Sequence, residues 1–179
     1  MKGIRRGRPP IRGSHQLGPR EPLEAGSPLE ASAGTNTQAG ARPLPKADAA
    51  KKRVLFVCIG NACRSQMAEA FAKAYGADVA DAHSAGLSPA PIIPPLTRKV
   101  LAGKNVSLDG HFPKGLETAL ERFDVLVNMS GVPLPIDAER VIQWSVLDPI
   151  GRDEATFNRV AAQIEDLVMR LIIELRSSQ

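Results

Sequence analysis

Hydrophobic positions are spread unevenly along the chain, and the period of the pattern changes several times. No sustained apolar run occurs before about residue 50. Val54-Leu55-Phe56-Val57 is then a short continuous run, β-branched and aromatic, with charge before it and Gly60-Asn61 after it. That is the pattern of a strand buried on both faces of a parallel sheet. The stretch Arg64 to Tyr75 has Met67, Phe71 and Ala74 at helical spacing, with Gly76 placed to end the helix. A second strand is expected at Asp78–Ser84, closed by Ala85-Gly86. Pro94 and Pro95 open a helix whose apolar face is Leu96, Val100 and Leu101, up to Gly103. Phe123–Asn128 reads as a third strand and Val141–Val146 as a fourth. The clearest periodicity comes last. Phe157, Val160, Ala161, Ile164, Leu167, Val168, Leu171 and Leu175 recur at steps of three and four, so a long amphipathic helix closes the fold.

Alternating strands and helices imply an α/β sandwich with a mostly parallel sheet and right-handed crossovers. Ligands of such folds bind at the carboxyl ends of the strands. The turn after Val57 is therefore the first place to look for chemistry.

Charge and composition divide the chain in two. Residues 1–53 carry 11 Lys/Arg against 4 Asp/Glu, a net of +7, whereas residues 54–179 carry 12 against 15, a net of −3. Seven of the fifteen prolines and seven of the fifteen glycines lie in residues 1–50. Such a segment buries too little apolar surface to offset its conformational entropy, so residues 1–50 are expected to be a disordered basic extension and residues 51–179 the folded domain. The basic arm has no interleaved aromatics and no recognition motif, so no specific nucleic-acid binding is expected of it. MKGIRRGRPPIRG lacks the apolar stretch of a secretory signal, and no 18 apolar residues run together, so neither export nor a membrane span is expected. Two cysteines five positions apart, with no others, do not make a disulfide scaffold, and a reducing cytoplasm is the simplest location.

The first strand is followed by Cys58-Ile59-Gly60-Asn61-Ala62-Cys63-Arg64-Ser65 and then by the helix. Gly60 and Asn61 both tolerate positive φ, which lets a tight loop curl with its amide N–H groups inward. The helix start adds unpaired N–H groups and the positive end of its dipole, and a ring of donors at a helix N-terminus is an anion site. Ile59, Gly60, Asn61, Ala62, Cys63, Arg64 and Ser65 would form that cradle, with the Arg64 fork reaching two oxygens of a phosphate-like group. Cys58 stands at its foot. The thiolate is the nucleophilic form of cysteine, and helix N-termini and arginines favour it. Ser65 is positioned to donate a hydrogen bond to the sulfur. An inert core cysteine does not fit a Gly-Asn loop at a strand end. A metal pair lacks further ligands, and a nucleotide P-loop would end in Lys-Ser/Thr. Neither metal nor cofactor is expected. His15, His83 and His111 form no visible constellation and are read as structural or exposed.

VLFVCIGNACRSQMAEAF resembles the opening of the low-molecular-weight protein tyrosine phosphatases and of the thioredoxin-linked arsenate reductases that share their fold. The likeness continues at Ser84-Ala85-Gly86, at FDVLVNMS (residues 123–130) and at Asp148-Pro149, and spans nearly everything from Arg53 onward. The resemblance implies a three-layer sandwich around a four-stranded parallel sheet of flavodoxin-like order. It also implies that Cys58 is the nucleophile, Arg64 binds the phosphoryl oxygens, Asn61 holds the loop's left-handed turn and is tied to Ser84, and Asp148 is the general acid and then the base. Asp148 also follows a predicted strand end, where Pro149 would fix its loop on the edge that carries Cys58. In family members with this C-x4-C spacing the second cysteine can form a reversible disulfide with the nucleophile, so the resemblance implies that role for Cys63, although packing alone accounts for Cys63 equally well.

Ile150-Gly151 stand where tyrosine-directed members have aromatic residues, Ala62 replaces a bulky aliphatic or a threonine, and Gln66 replaces proline. The proline-led helix after SAG, the Lys114 segment HFPKGL and Trp144 four residues before Asp148 lean toward the reductases. Their relay needs two further thiols, yet Ser130 stands at the place of the second and no third follows. The expectation is thus a phosphatase acting on a phosphoprotein or a small phosphomonoester. The alternatives are arsenate reduction with an external thiol reductant, and a non-catalytic phosphate-binding module.

Overall fold

In the computed structural model, which describes residues 50–119 and 121–178, β1 is Lys52–Cys58, and its residues from Val54 onward are buried. It is followed by α1 (Arg64–Tyr75), β2 (Ala80–Gly86), α2 (Pro95–Ala102), a single 3-10 turn at Leu116–Thr118, β3 (Phe123–Asn128), β4 (Ala138–Gln143) and α3 (Glu154–Ser177). The four strands form one sheet in the order β2-β1-β3-β4, every pair parallel. This is the flavodoxin-like order expected. The chain leaves β1 for β2 on one side and returns to β3 on the other, so the carboxyl end of β1 is the switch point at which a crevice opens. Cys58 is the last residue of that strand.

Alternate residues of β1 enter two cores. Val54 and Phe56 pack with Met67 and Phe71 of α1, Val100 and Leu101 of α2, and Phe157, Ile164 and Val168 of α3. Leu55 and Val57 pack on the opposite face with Phe123 and Leu126, and Leu116, Leu134 and Ile136 close over them. The sandwich thus has three layers, the third of them thin. α3 opens on Asp153, whose carboxylate caps the Thr156 N–H at 2.9 Å. Such a cap contributes about 1 kcal/mol.

Two strands differ from the sequence expectation. β2 begins at Ala80 because the amides of Val79 and Ala80 both donate to the Gly76 carbonyl, at 3.0 and 2.8 Å, leaving residues 77–79 as a turn. It runs on through Ser84-Ala85-Gly86, because Gly86 pairs in register with Cys58. β4 begins three residues earlier than the apolar run VIQWSV suggested. It is an edge strand, with Val141 53% exposed. After Gln143 the chain leaves the sheet and packs Trp144 against Phe56, ring centroids 5.8 Å apart. The proposed 1–50 extension lies outside the described residues, apart from Ala50.

Candidate active site

The loop after β1 is held from one side by the segment that leaves β2. The amides of Leu87, Ser88 and Ala90 donate to the carbonyls of Cys58, Ile59 and Gly60, at 3.2, 2.9 and 2.9 Å. Among the described residues, no acceptor takes the amide protons of Ile59 through Cys63. Asn61 adopts φ of 44°, the left-handed conformation that asparagine tolerates, and its side chain is fully buried. The carbonyl oxygens are thus engaged while a run of N–H groups stays available, which is the composition of an anion nest.

Gly86 lets this happen. A Cβ there would lie 2.7 Å from the Asn61 nitrogen and 2.8 Å from the Ile59 carbonyl oxygen, both backbone atoms. Gly86→Ala is therefore expected to displace the loop. Thermal unfolding should show a loss of roughly 1–3 kcal/mol, and phosphate binding by calorimetry should weaken with it.

Cys58 is 2% exposed, and its sulfur lies 3.0 Å from the Ser65 hydroxyl. Asn61 Nδ2 donates to both Ser65 Oγ and Ser84 Oγ, each at 2.8 Å. The expected Asn61–Ser84 tie is thus present. Arg64, nearly buried, sends Nη1 to the carbonyls of Met129 (2.9 Å) and Val146 (3.3 Å), and Nη2 to the Asp148 carboxylate. Its Nε is buried with no partner. Asp148, half-exposed, also accepts from the Ile150 amide at 3.2 Å. A cavity of about 270 Å³ brings Cys58, Arg64 and Asp148 together, with Cys63 in its lining and Ile59, Ala90 and Ile150 forming aliphatic walls.

Cys63 faces a different way energetically. Its sulfur is 3.0 Å from the Thr97 hydroxyl on α2, and burial pushes its thiol up to about 11 even though that hydrogen bond works in the other direction. A thiol so protonated is a slow attacker at neutral pH.

Sequence reasoning missed the groups behind the loop. Glu69 on α1 is 3% exposed, accepts from Ser84 Oγ, and pairs with Lys73 at 2.6 Å and Lys114 at 3.5 Å. Gln66, fully buried, donates from Nε2 to Asn61 Oδ1 (2.9 Å) and to the Phe112 carbonyl (2.9 Å). Its oxygen is therefore the group 2.8 Å from His111 Nδ1, so that nitrogen carries the ring proton. Little local in the sequence marks these residues, because Ser84, His111 and Phe112, which meet them here, lie 15 to 46 positions away.

Burial lowers the His111 imidazole below its ordinary 6.5, only partly countered by the nearby Glu69 carboxylate. The unfolded chain then binds a proton more readily than the folded one, so stability should fall as pH drops through 6.5 and level off below the folded value. Glu69 behaves differently: burial alone would raise its carboxyl, but the hydrogen bonds from Lys73 and Ser84 outweigh this and hold it below 4.5. Its contribution is lost only in the acid range. Urea melts between pH 7 and 5 should show a slope that His111→Asn flattens, while the loss below pH 4.5 persists.

A family model described as low molecular weight phosphotyrosine protein phosphatase matches residues 53–133. A glutaredoxin arsenate reductase of Synechocystis is 31% identical over 130 residues, which are 69% of this chain and 98% of that protein. This chain belongs to the low-molecular-weight phosphotyrosine protein phosphatase family. The family includes arsenate reductases as well as phosphatases, and this member is an enzyme of that type. Among solved structures, an arsenate reductase in the phosphate binding state is 32% identical with a TM-score of 0.64, covering 69% of this chain and 98% of that one. The YwlE arginine phosphatase from Geobacillus stearothermophilus, 20% identical, shares the fold at a TM-score of 0.60 over 72% of this chain and 95% of its own. Within the described residues of this family member, no helix is long and apolar enough to cross a membrane, and no His/Cys/Asp/Glu cluster suits a metal ion.

Proposed function

We propose that this chain hydrolyses phosphomonoesters through a cysteinyl-phosphate. The observation that carries the reading is the single cavity shared by a buried thiol, an arginine fork and a carboxylate. Phosphoryl oxygens take the free amides of residues 59–63 and the Arg64 guanidinium, including its unpartnered Nε. An oxyanion there competes with Asp148 for the Arg64 fork, and a carboxylate released from a guanidinium is easier to protonate. Cys58 Sγ then attacks phosphorus, the bond to the leaving oxygen breaks, and Asp148 gives that oxygen its proton. In the second displacement Asp148 takes a proton from water, the water oxygen attacks phosphorus, and the sulfur departs as the thiolate that Ser65 stabilises. No redox partner enters this sequence of steps. The walls at Ile59, Ala90 and Ile150 favour a leaving group with a modest apolar surface, on a phosphoprotein or a small ester.

The second reading is arsenate reduction, favoured by the arsenate reductases among the sequence relatives. In this chain Ser130 hydrogen-bonds Asn128 where a relay thiol would be needed, and Cys63 is held protonated at neutral pH. A Cys58–arsenic adduct would need an external thiol to release arsenite. The deciding experiment measures para-nitrophenyl phosphate hydrolysis from pH 4.5 to 8, in parallel with arsenate consumption supplied with glutathione and glutaredoxin. Turnover of the ester alone establishes the phosphatase; arsenate consumption without ester turnover replaces it with the reductase. Inactivity toward both substrates by a protein that binds phosphate points to a binding module.

A further inference from the structure

The loop's hydrogen bonds have two ends whose polarity cannot be reversed. At one end the Lys114 backbone N–H, an obligate donor, lies 2.7 Å from Asn61 Oδ1. This settles the amide orientation: the oxygen faces Lys114, so Nδ2 faces Ser65 and Ser84. At the other end stands the buried Glu69 carboxylate, which accepts from the Ser84 hydroxyl. Ser84 has one proton and gives it to Glu69, so its oxygen must accept from Asn61 Nδ2. The second Nδ2 proton goes to Ser65 Oγ, so the Ser65 hydroxyl proton is free for the Cys58 sulfur at 3.0 Å. Glu69, Ser84, Asn61, Ser65 and Cys58 are all buried, so water does not scramble the order.

We propose that Glu69 is a positioning residue for the nucleophile, fixing through Ser84 and Asn61 the direction in which Ser65 donates to Cys58. The inference rests on the reading of Cys58 as the reactive thiol. Without the carboxylate, the Ser84 proton has no acceptor and is left facing the Asn61 amide donors. The Lys114 N–H still holds the amide oxygen, but Nδ2, now opposed by the Ser84 proton, is held less firmly against Ser65 Oγ, and the donation to the sulfur weakens. Hydrogen bonds to the charged form favour it, so thiolate formation should become harder. Direct electrostatics predicts the opposite sign, because removing a buried anion near a thiol makes the thiolate easier to form. The groups facing Glu69 are Lys73 from its own helix, Ser84 from β2, and His111 and Lys114 from the segment before the 3-10 turn. Lys73 holds the other carboxylate oxygen. In Glu69→Gln the amide oxygen should therefore face Lys73 and its NH2 should face Ser84, placing a donor where the acceptor was.

The test is the pH dependence of iodoacetamide alkylation, with the adduct assigned to Cys58 by peptide mass mapping. It needs no turnover, so it remains readable if the proposed phosphatase activity is absent. Alkylation confined to Cys63 would instead remove the reading of Cys58 on which the inference rests. Glu69→Gln should raise the midpoint for Cys58 by about one pH unit. Ser84→Ala, which cuts the same link without touching the buried charge, should raise it in the same direction and serves if the first variant does not fold. In a Ser65→Ala background neither substitution should raise the midpoint further, and Glu69→Gln should leave only the lowering that direct electrostatics predicts. An unchanged or lowered midpoint in the folded variants would overturn the proposal, as would shifts that add fully to that of Ser65→Ala.

Discussion

Cys58→Ser should reduce phosphomonoester hydrolysis by at least about 10³-fold while leaving the fold and phosphate binding in place. Serine keeps the position and can still meet the Ser65 hydroxyl, but its own hydroxyl stays protonated at neutral pH and no general base stands behind it. The Ser65 contact at 3.0 Å helps only if the attacking atom is already an anion. The oxyanion donors lie elsewhere, in the amides of residues 59–63 and in Arg64, so affinity for inorganic phosphate should survive. Steady-state kinetics on para-nitrophenyl phosphate and calorimetric titration with phosphate separate the two properties. Retained turnover would remove Cys58 from the mechanism.

Asp148→Asn should have the second-largest effect, and its size should depend on the leaving group. A positioned general acid contributes on the order of 10²–10⁴ in rate. With phenyl phosphate, whose phenoxide leaving group is the more basic and gains more from protonation, kcat should fall within that range; with para-nitrophenyl phosphate, whose leaving group is the weaker base, the loss should be smaller. Asparagine still accepts from the Ile150 amide, so the loop geometry is retained. The same substitution removes the carboxylate that engages the Arg64 fork. Phosphate should therefore inhibit the variant more strongly than the parent, so kcat and inhibitor affinity move in opposite senses. Equal kcat losses on both esters would assign Asp148 a purely structural role at the cavity.

The parts of this molecule that were legible in the sequence are those specified by near neighbours. Val54–Val57, Gly60-Asn61 and Arg64–Tyr75 each carry their signal within a dozen residues, and together they form the strand, loop and helix of the site. Arg64 and Asp148 could each be singled out from a motif of its own, but the ion pair between them could not. The β4 boundary was not readable, because an apolar run looks alike at an edge and in the middle of a sheet, and only the partner strand distinguishes them. Glu69 was hidden for a related reason. A glutamate four residues before Lys73 reads as a solvated helix pair. Its burial is decided by Ser84 and Lys114, which the fold brings in from other elements. The direction of the hydrogen bonds around Cys58 is likewise a property of the assembled network.

The edge strand β4 also bears on how molecules of this enzyme meet one another. An edge strand that exposes a β-branched residue is a template on which a second chain can lay a strand of its own. Here the exposed Val141 is preceded by Glu139 and Arg140, and Arg140 is pinned to Glu174 of α3 while Glu139 faces Arg122. A docking strand would have to strip these ion pairs and bury their charges, so this edge resists recruitment into intermolecular sheets and the aggregation that follows.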